Sequence, residues 1–170
     1  MPVVFIGVGS NLGDREFFFE FAAREIQRKA GIRDLKCSPV YETEPVDGAG
    51  QSLYLNAVWS FVTELAPEVL LQKLHDIEAR AGRRRASVNE ARVLDLDILF
   101  YGDSVSKQTA LTIPHPRIPE RAFVLAPFCD LAPEFVHPEF KQNMRQLLDA
   151  YRANQGGIRG VRRLTMNGRE

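Results

Sequence analysis

Several features are scarce or missing in this chain of 170 residues, and each absence argues against a class of protein. Only two cysteines occur, Cys37 and Cys129, in no paired motif, so we expect small buried thiols in a reducing compartment. Lys and Arg together number 22, as do Asp and Glu, so the zero net charge gives no general attraction to nucleic acid or membranes. No segment approaches the length of a membrane span without charges.

The beginning of the chain lacks the pattern of a secretory signal peptide. Met1 leads almost directly into a short β-type run, with neither a basic start nor a long apolar stretch. We therefore predict a cytoplasmic protein. No internal repeat, low-complexity segment or dividing linker is evident, and the 45% of hydrophobic residues can build a core, so we predict one domain over residues 1–170.

Hydrophobic periodicity predicts the element order β-α-β-β-α-β, followed by additional elements. Extended runs occupy residues 3–8, 32–43, 53–64 and 92–101, and helical spacing occupies residues 15–30 and 67–81. This order predicts an α+β protein with a ferredoxin-like antiparallel sheet, helices packed on one face and extra C-terminal elements. Such a fold does not by itself identify a function.

Two acidic residues interrupt a strand that is otherwise apolar. Asp95 and Asp97 alternate with apolar residues along 92–101, so both side chains point to one face, roughly 6–7 Å apart at Cα. Charges this close favour a cation between them. Hard oxygen ligands suit Mg²⁺, which also binds substrate phosphates, and structural ion pairs with nearby arginines are the alternative.

A basic stretch lies immediately before these two carboxylates. Arg83, Arg84, Arg85 and Arg92 fall in a polar segment without apolar periodicity, which predicts a mobile loop. Guanidinium groups bind phosphate through pairs of parallel hydrogen bonds. A solvated basic loop has the same composition, but the neighbouring acidic pair favours a site for a metal-bound triphosphate.

Two other segments can present anion-binding groups. Prolines fix residues 114–119 and hold His115 with little freedom, which fits either a preorganised anion site or a surface turn. The glycine-containing loop 9–13 lies between a strand and a helix, where anions often bind. It lacks the Gly-Lys-Ser/Thr of a P-loop, so a tight connection is the simpler interpretation.

Two pairs of residues share a face without indicating a function on their own. Tyr54 and Asn56 lie on one face at the beginning of a strand, where a tyrosine usually packs unless a ligand stacks on it. His75 and Glu78 lie three residues apart on a helix, which most simply indicates a solvated face.

Seven short motifs occur in a fixed order along the chain. They are Gly-Ser-Asn-Leu-Gly (9–13), Ser-Pro-Val-Tyr-Glu-Thr (38–43), Tyr-Leu-Asn-Ala (54–57), Gly-Arg (82–83), Arg-Val-Leu-Asp-Leu-Asp-Ile (92–98), Pro-His-Pro-Arg (114–117) and Arg-Ala-Phe (121–123). Together they resemble the 6-hydroxymethyl-7,8-dihydropterin pyrophosphokinase family, over residues 3 to about 135. The Asp-Leu-Asp-Ile strand followed by Pro-His-Pro-Arg is the specific part of this resemblance.

The resemblance implies a monomeric folate-pathway enzyme that transfers diphosphate from ATP to the hydroxymethyl group of a reduced pterin and releases AMP. It implies that two Mg²⁺ ions bridge the triphosphate and are held by Asp95 and Asp97. It implies that two arginines, Arg83 and Arg92, are catalytic. It implies that ATP is contacted by Arg83, Arg85, Arg92, Ile98, His115 and Arg121, with His75 and Glu78 nearby. It implies that the pterin ring stacks between Tyr54 and Phe123 and that Asn56 binds its polar edge. The backbone near Thr43 and Val46 would complete this pocket.

Two positions depart from the family pattern. Residues 89–92 are Asn-Glu-Ala-Arg where the family commonly has Trp-Gly-Pro-Arg, so the tryptophan that helps to seal both substrate sites is absent. Glu44 stands where proline is frequent, at the rim of the expected pterin pocket.

Two other functions fit the same residues. A palm-like nucleotidyl transferase also places two carboxylates on a ferredoxin-like sheet, but it releases diphosphate and needs a nucleic-acid groove, which zero net charge disfavours. A non-catalytic binding module would bind nucleotide without a requirement for Mg²⁺.

Overall fold

An antiparallel sheet forms the centre of the computed structural model, which describes residues 1–45, 52–82 and 93–164. Its strands are β1 (Val3–Ser10), β2 (Ile32–Cys37), β3 (Tyr41–Thr43), β4 (Tyr54–Thr63), β5 (Asp95–Tyr101) and β8 (Val161–Arg163). The order is β5-β1-β4-β3-β8, and β2 pairs with β4 as well. A separate hairpin consists of β6 (Ser106–Gln108) and β7 (Leu111–Ile113).

Four α-helices flank the sheet in the described residues: α1 (Arg15–Gln27), α2 (Pro67–Arg80), α3 (Ala122–Leu131) and α4 (Met144–Gln155). The Asp14 side chain accepts a hydrogen bond from the Phe17 amide and so caps α1, and Pro67 occupies the first position of α2. A capping box at Asn143 starts α4, and Gly156 ends it in the left-handed conformation.

Helices cover both faces of the sheet. On one face, buried side chains of α1 and α2, such as Ile26 and Leu74, pack with Ile6, Leu96 and Trp59. On the other face, α3 and α4 pack on the sheet through Phe128, Leu148 and their neighbours. The helices of the β-α-β-β-α-β part, α1 and α2, lie on one face, as expected. The additional elements after β5 differ from that pattern because they carry apolar surfaces of their own, which the second face of the sheet buries.

Two other details differ from the expectations. The extended run 32–43 is two strands, separated around Pro39, and both pair with the same edge of β4. The thiols are free but not fully buried, since Cys37 is exposed and Cys129 is half-buried. Among the helices of the described residues, none has the length and apolar character needed to cross a membrane.

Candidate active site

The two acidic residues of β5 lie next to glycines of β1. Asp95 pairs with Gly9 and Asp97 pairs with Gly7. Paired residues of antiparallel strands point to the same face, so the glycines leave room beside both carboxylates. A Cβ atom added to Gly9 would lie 3.1 Å from Oδ1 of Asn56, closer than most real contacts. Because Gly9 has no side chain, Asn56 of β4 and Asp95 of β5 face the same surface without an intervening group.

The residues predicted to bind the pterin continue this surface across the sheet. Gly9 pairs with Asn56 of β4, and Thr43 of β3 pairs with Tyr54. Asn56 Nδ2 donates a hydrogen bond to Thr43 Oγ1 at 2.7 Å, and both side chains are buried. Asp95 and Asn56 are two strand spacings apart, which is about 10 Å. The acidic pair and the amide are thus separated by about the size of a small substrate.

Glu78 lies behind the carboxylates. It projects from α2, is 2% exposed, and its Oε1 accepts a hydrogen bond of 2.7 Å from the backbone amide of Leu96. Leu96 stands between Asp95 and Asp97, so this bond fixes the strand segment that carries both. His75, one turn earlier on α2, is half-buried. The expectation of a solvated face was therefore wrong for Glu78, because its buried carboxylate bonds to the strand and supports the segment that carries both aspartates.

His115 is held against β5, the edge strand that carries the acidic pair. Its backbone amide donates to Leu99 O at 2.9 Å, and its Nδ1 accepts from the Arg117 amide at 3.2 Å. Burial, together with the positive charges of Arg121 and Arg117, lowers the pKa of His115 to about 4, although the charge of Asp95 acts in the opposite direction. The imidazole is therefore neutral at pH 7, and because Nδ1 accepts, its proton is on Nε2.

Arg121 and Phe123 lie at the beginning of α3. The Arg121 guanidinium carbon is 5.5 Å from the centroid of the Phe123 ring, within the range of a cation–π contact. Phe123 is half-buried. The structure therefore brings together Arg121 and Phe123, two of the residues that the sequence predicts for the site.

The donor set fits a metal bound jointly by protein and substrate. In residues 1–45, 52–82 and 93–164, no group of three or more His, Cys, Asp and Glu side chains could hold a metal ion by itself. Two neighbouring carboxylates match Mg²⁺, which usually takes one or two carboxylates and completes its octahedral shell with phosphate oxygens and water.

Four predicted site residues, Val46, Arg83, Arg85 and Arg92, lie outside the described residues. The Ile98 side chain is buried in the core shared with α1 and α2, on the face opposite the carboxylates. A contact between Ile98 and a nucleotide would therefore involve its main chain.

Sequence reasoning missed the ion pairs of Glu42 with Arg15 and Arg162. These partners are 27 and 120 residues away, and no local pattern joins them.

Comparisons with known proteins relate this chain to one family. Residues 5–133 match the family described as 7,8-dihydro-6-hydroxymethylpterin-pyrophosphokinase (HPPK). A Synechocystis protein named 2-amino-4-hydroxy-6-hydroxymethyldihydropteridine pyrophosphokinase is 38% identical over 144 residues, which cover 85% of this chain and 73% of the relative. "Folic acid synthesis protein fol1" of Schizosaccharomyces pombe is also 38% identical, over 86% of this chain. A crystal structure of Plasmodium falciparum HPPK-DHPS with pterin and p-hydroxybenzoate has a similar fold, with a TM-score of 0.74 at 15% identity over 95% of this chain.

These relatives differ in length. The chain spans 20% of the S. pombe protein and 46% of the P. falciparum chain. It spans 90% of the pyrophosphokinase of Aquifex aeolicus, with which it shares 32% identity over 146 residues. The region in common is therefore a unit that occurs both in short proteins and within longer ones.

Proposed function

This chain belongs to the 7,8-dihydro-6-hydroxymethylpterin-pyrophosphokinase family, and we propose that it transfers diphosphate from ATP to 6-hydroxymethyl-7,8-dihydropterin in folate synthesis. The products would be AMP and the pterin diphosphate. The observation that carries this proposal is the common face of Asp95, Gly9 and Asn56, which supports a substrate site between the acidic pair and the amide. The family match confirms the resemblance seen in the ordered motifs.

Asp95 and Asp97 would hold two Mg²⁺ ions against the triphosphate. When bound, the metal supplies neutralisation of the charge on the transferred group and on the attacking and leaving oxygens. The protein's own part is to keep both carboxylates on one face, and the bond from the Leu96 amide to Glu78 supports that arrangement.

The pterin would lie between the rings of Tyr54 and Phe123, with its polar edge at Asn56. Asn56 Nδ2 already donates to Thr43 Oγ1, so the amide is oriented before the ligand arrives, and its Oδ1 can accept from the pterin. The backbone near Thr43 and Val46 would complete the pocket. Such preorganisation lowers the ordering cost of binding.

The phosphates would be bound by one histidine and several arginines. His115 would donate from Nε2, and Arg121 would contribute its guanidinium, together with Arg83, Arg85 and Arg92. The nucleotide would lie near His75, Glu78 and the main chain of Ile98. Without a covalent intermediate, positioning and electrostatic stabilisation would supply most of the rate acceleration.

The test is product analysis with purified protein, ATP, Mg²⁺ and the reduced pterin. We expect AMP and pterin diphosphate in equal amounts, and formation of both should cease when Mg²⁺ is chelated. Release of inorganic diphosphate instead of AMP would indicate a nucleotidyl transferase, and a folded protein that forms neither AMP nor the pterin diphosphate would contradict the proposal.

Three predictions about fold, assembly and location accompany this function. We propose that the β-α-β-β-α-β part is ferredoxin-like, that the protein acts as a monomer on small molecules alone, and that it acts in the cytoplasm. The strand order β5-β1-β4 with β2 on the far edge of β4 supports the first of these.

A further inference from the structure

β8 lies beside the predicted pterin pocket but outside the residues that match the family, 5–133. We propose that β8 positions this pocket from behind, through the contact of Arg162 with Glu42. Both would be positioning residues, since neither would touch the substrate. The inference rests on the proposed function, because it assigns β8 to the pterin half of that site.

Glu42 is the central residue of this contact. β3 has only three residues, and strand alternation turns Tyr41 and Thr43 toward the site and Glu42 toward the other face. Glu42 pairs directly with Arg162 across the two strands, and its Oε1 accepts from Arg162 Nη2 at 2.7 Å. Its Oε2 accepts from Arg15 at 3.4 Å. The carboxylate behind Thr43 therefore joins β3, β8 and α1.

The Arg15 side chain extends this connection to the beginning of β4. Arg15 Nη1 also donates to Leu53 O at 2.8 Å, and Leu53 immediately precedes Tyr54. The hydrogen bond from Arg162 is the largest influence on Glu42 and lowers the pKa of its carboxyl, with support from the charge of Arg15. Glu42 is thus ionised at neutral pH and connects two predicted pterin-contacting residues, Thr43 and Tyr54, from behind.

Arg163, the neighbour of Arg162 in β8, makes a second connection on the sheet face that carries Tyr41 and Thr43. Arg163 Nη1 lies 3.8 Å from Asp130 Oδ1, and Asp130 Oδ2 accepts from the Tyr41 hydroxyl at 2.5 Å. Burial, and then this hydrogen bond with Asp130, raise the pKa of Tyr41 to about 12, so the hydroxyl stays a donor. Asp130 belongs to α3, which carries Phe123 at its other end. β8 therefore links both walls of the pocket, β3 and α3.

Backbone pairing gives β3 an outer partner. The Glu44 amide donates to Gly160 O at 2.9 Å, and the Leu164 amide donates to Val40 O at 2.8 Å. Gly160 has a φ of +64°, and a Cβ atom there would lie 3.0 Å from Oε2 of Glu44, so glycine suits this position. A three-residue strand on an open edge is marginal by itself. β8 converts β3 from an edge strand into an internal one at the point where Thr43 holds Asn56.

The test compares pterin binding by Arg162→Ala with binding by the unchanged protein. Arg162 is 73% exposed, so its removal leaves the core intact. Calorimetry with a pterin analogue should show a dissociation constant raised about three- to tenfold, the effect of losing much of one charge-assisted hydrogen bond. The affinity for a non-hydrolysable ATP analogue with Mg²⁺, and kcat at saturating pterin, should stay unchanged. Arg162→Lys should restore part of the pterin affinity.

Arg33→Ala is the matched control, because Arg33 also forms an exposed ion pair with a glutamate, at the opposite end of the sheet. It should leave pterin affinity unchanged. Equal pterin affinity in Arg162→Ala and the unchanged protein would overturn the inference, and so would an equal loss of affinity for pterin and nucleotide. If the unchanged protein bound no pterin analogue at all, the proposed function itself would fail, and the inference with it.

Discussion

The two halves of the proposed site, one for the phosphates and one for the pterin, are built in different ways. The acidic pair of the proposed phosphate half comes from one strand, β5, where Asp95 and Asp97 share a face because of strand alternation alone. The pterin half is assembled from β3, β4 and α3 with β8 behind them, and its contacts join residues as far apart as Glu42 and Arg162. Local periodicity can define the acidic pair, whereas only the tertiary fold can define the pterin half. A single substitution in the acidic pair should therefore remove most of the activity, whereas a single substitution in the pterin half should weaken pterin binding only in part.

The largest effect is expected in the phosphate half, from Asp97→Asn. This change keeps the size of the side chain but removes a charge that would hold metal, so kcat should fall on the order of 10³-fold. The melting temperature should change little. The assay is AMP formation at saturating substrates, with Asp103→Asn in the exposed turn after β5 as control. Activity of Asp97→Asn within tenfold of the unchanged protein would exclude Asp97 as a metal ligand.

The next effect concerns the support of β5 by Glu78. Glu78→Ala leaves the Leu96 amide without its acceptor in a buried environment, at a cost of about 1–3 kcal/mol in unfolding free energy. Glu78→Gln keeps an acceptor at the same place and should retain more stability and activity than Glu78→Ala. Urea denaturation and AMP formation measure both effects. If the two variants were equally stable, the hydrogen bond to Leu96 would not be the relevant contact.

A smaller effect is expected in the pterin half, from Thr43→Val. Valine keeps the shape but removes the oxygen that accepts from Asn56 Nδ2, so the amide loses its fixed orientation. Pterin affinity should fall about three- to tenfold while nucleotide affinity stays the same. Calorimetric titration of each ligand separates the two. Thr112→Val, on β7 outside the site, is the control. A drop in nucleotide affinity alone would show that Thr43 belongs to the phosphate half.

The smallest effect is the contribution of His115 to the pH dependence of stability. Its pKa is about 4 in the folded protein against an ordinary value of 6.5, so the unfolded chain binds more protons between these values. The free energy of unfolding should therefore decrease as the pH falls from about 6.5 to about 4. His115→Gln should make this decrease shallower in urea denaturation at several pH values. An unchanged slope in that variant would contradict the low pKa of His115.

The sequence predicts the parts of the molecule that local rules control. The strand alternation that puts Asp95 and Asp97 on one face, and the β-α-β-β-α-β order with β2 and β3 as one extended run, depend on near neighbours along the chain. The packing of α3 and α4 on the second face, the pairing of β8 with β3 and the contact of Glu78 with Leu96 depend on elements far apart in sequence. Periodicity shows that a helix has an apolar side but not which sheet face receives it. For this reason, the contact of Arg162 with Glu42 becomes visible only in the structure.

The most direct test of the central claim is a titration with a non-hydrolysable ATP analogue. The unchanged protein and a variant with Asp95→Asn and Asp97→Asn together should be compared, each with and without Mg²⁺. We expect the unchanged protein to bind the analogue at least tenfold more tightly with Mg²⁺ than without it, and the variant to lose this difference. Equal Mg²⁺ dependence in both proteins would contradict the claim that these two carboxylates hold the metal-bound triphosphate.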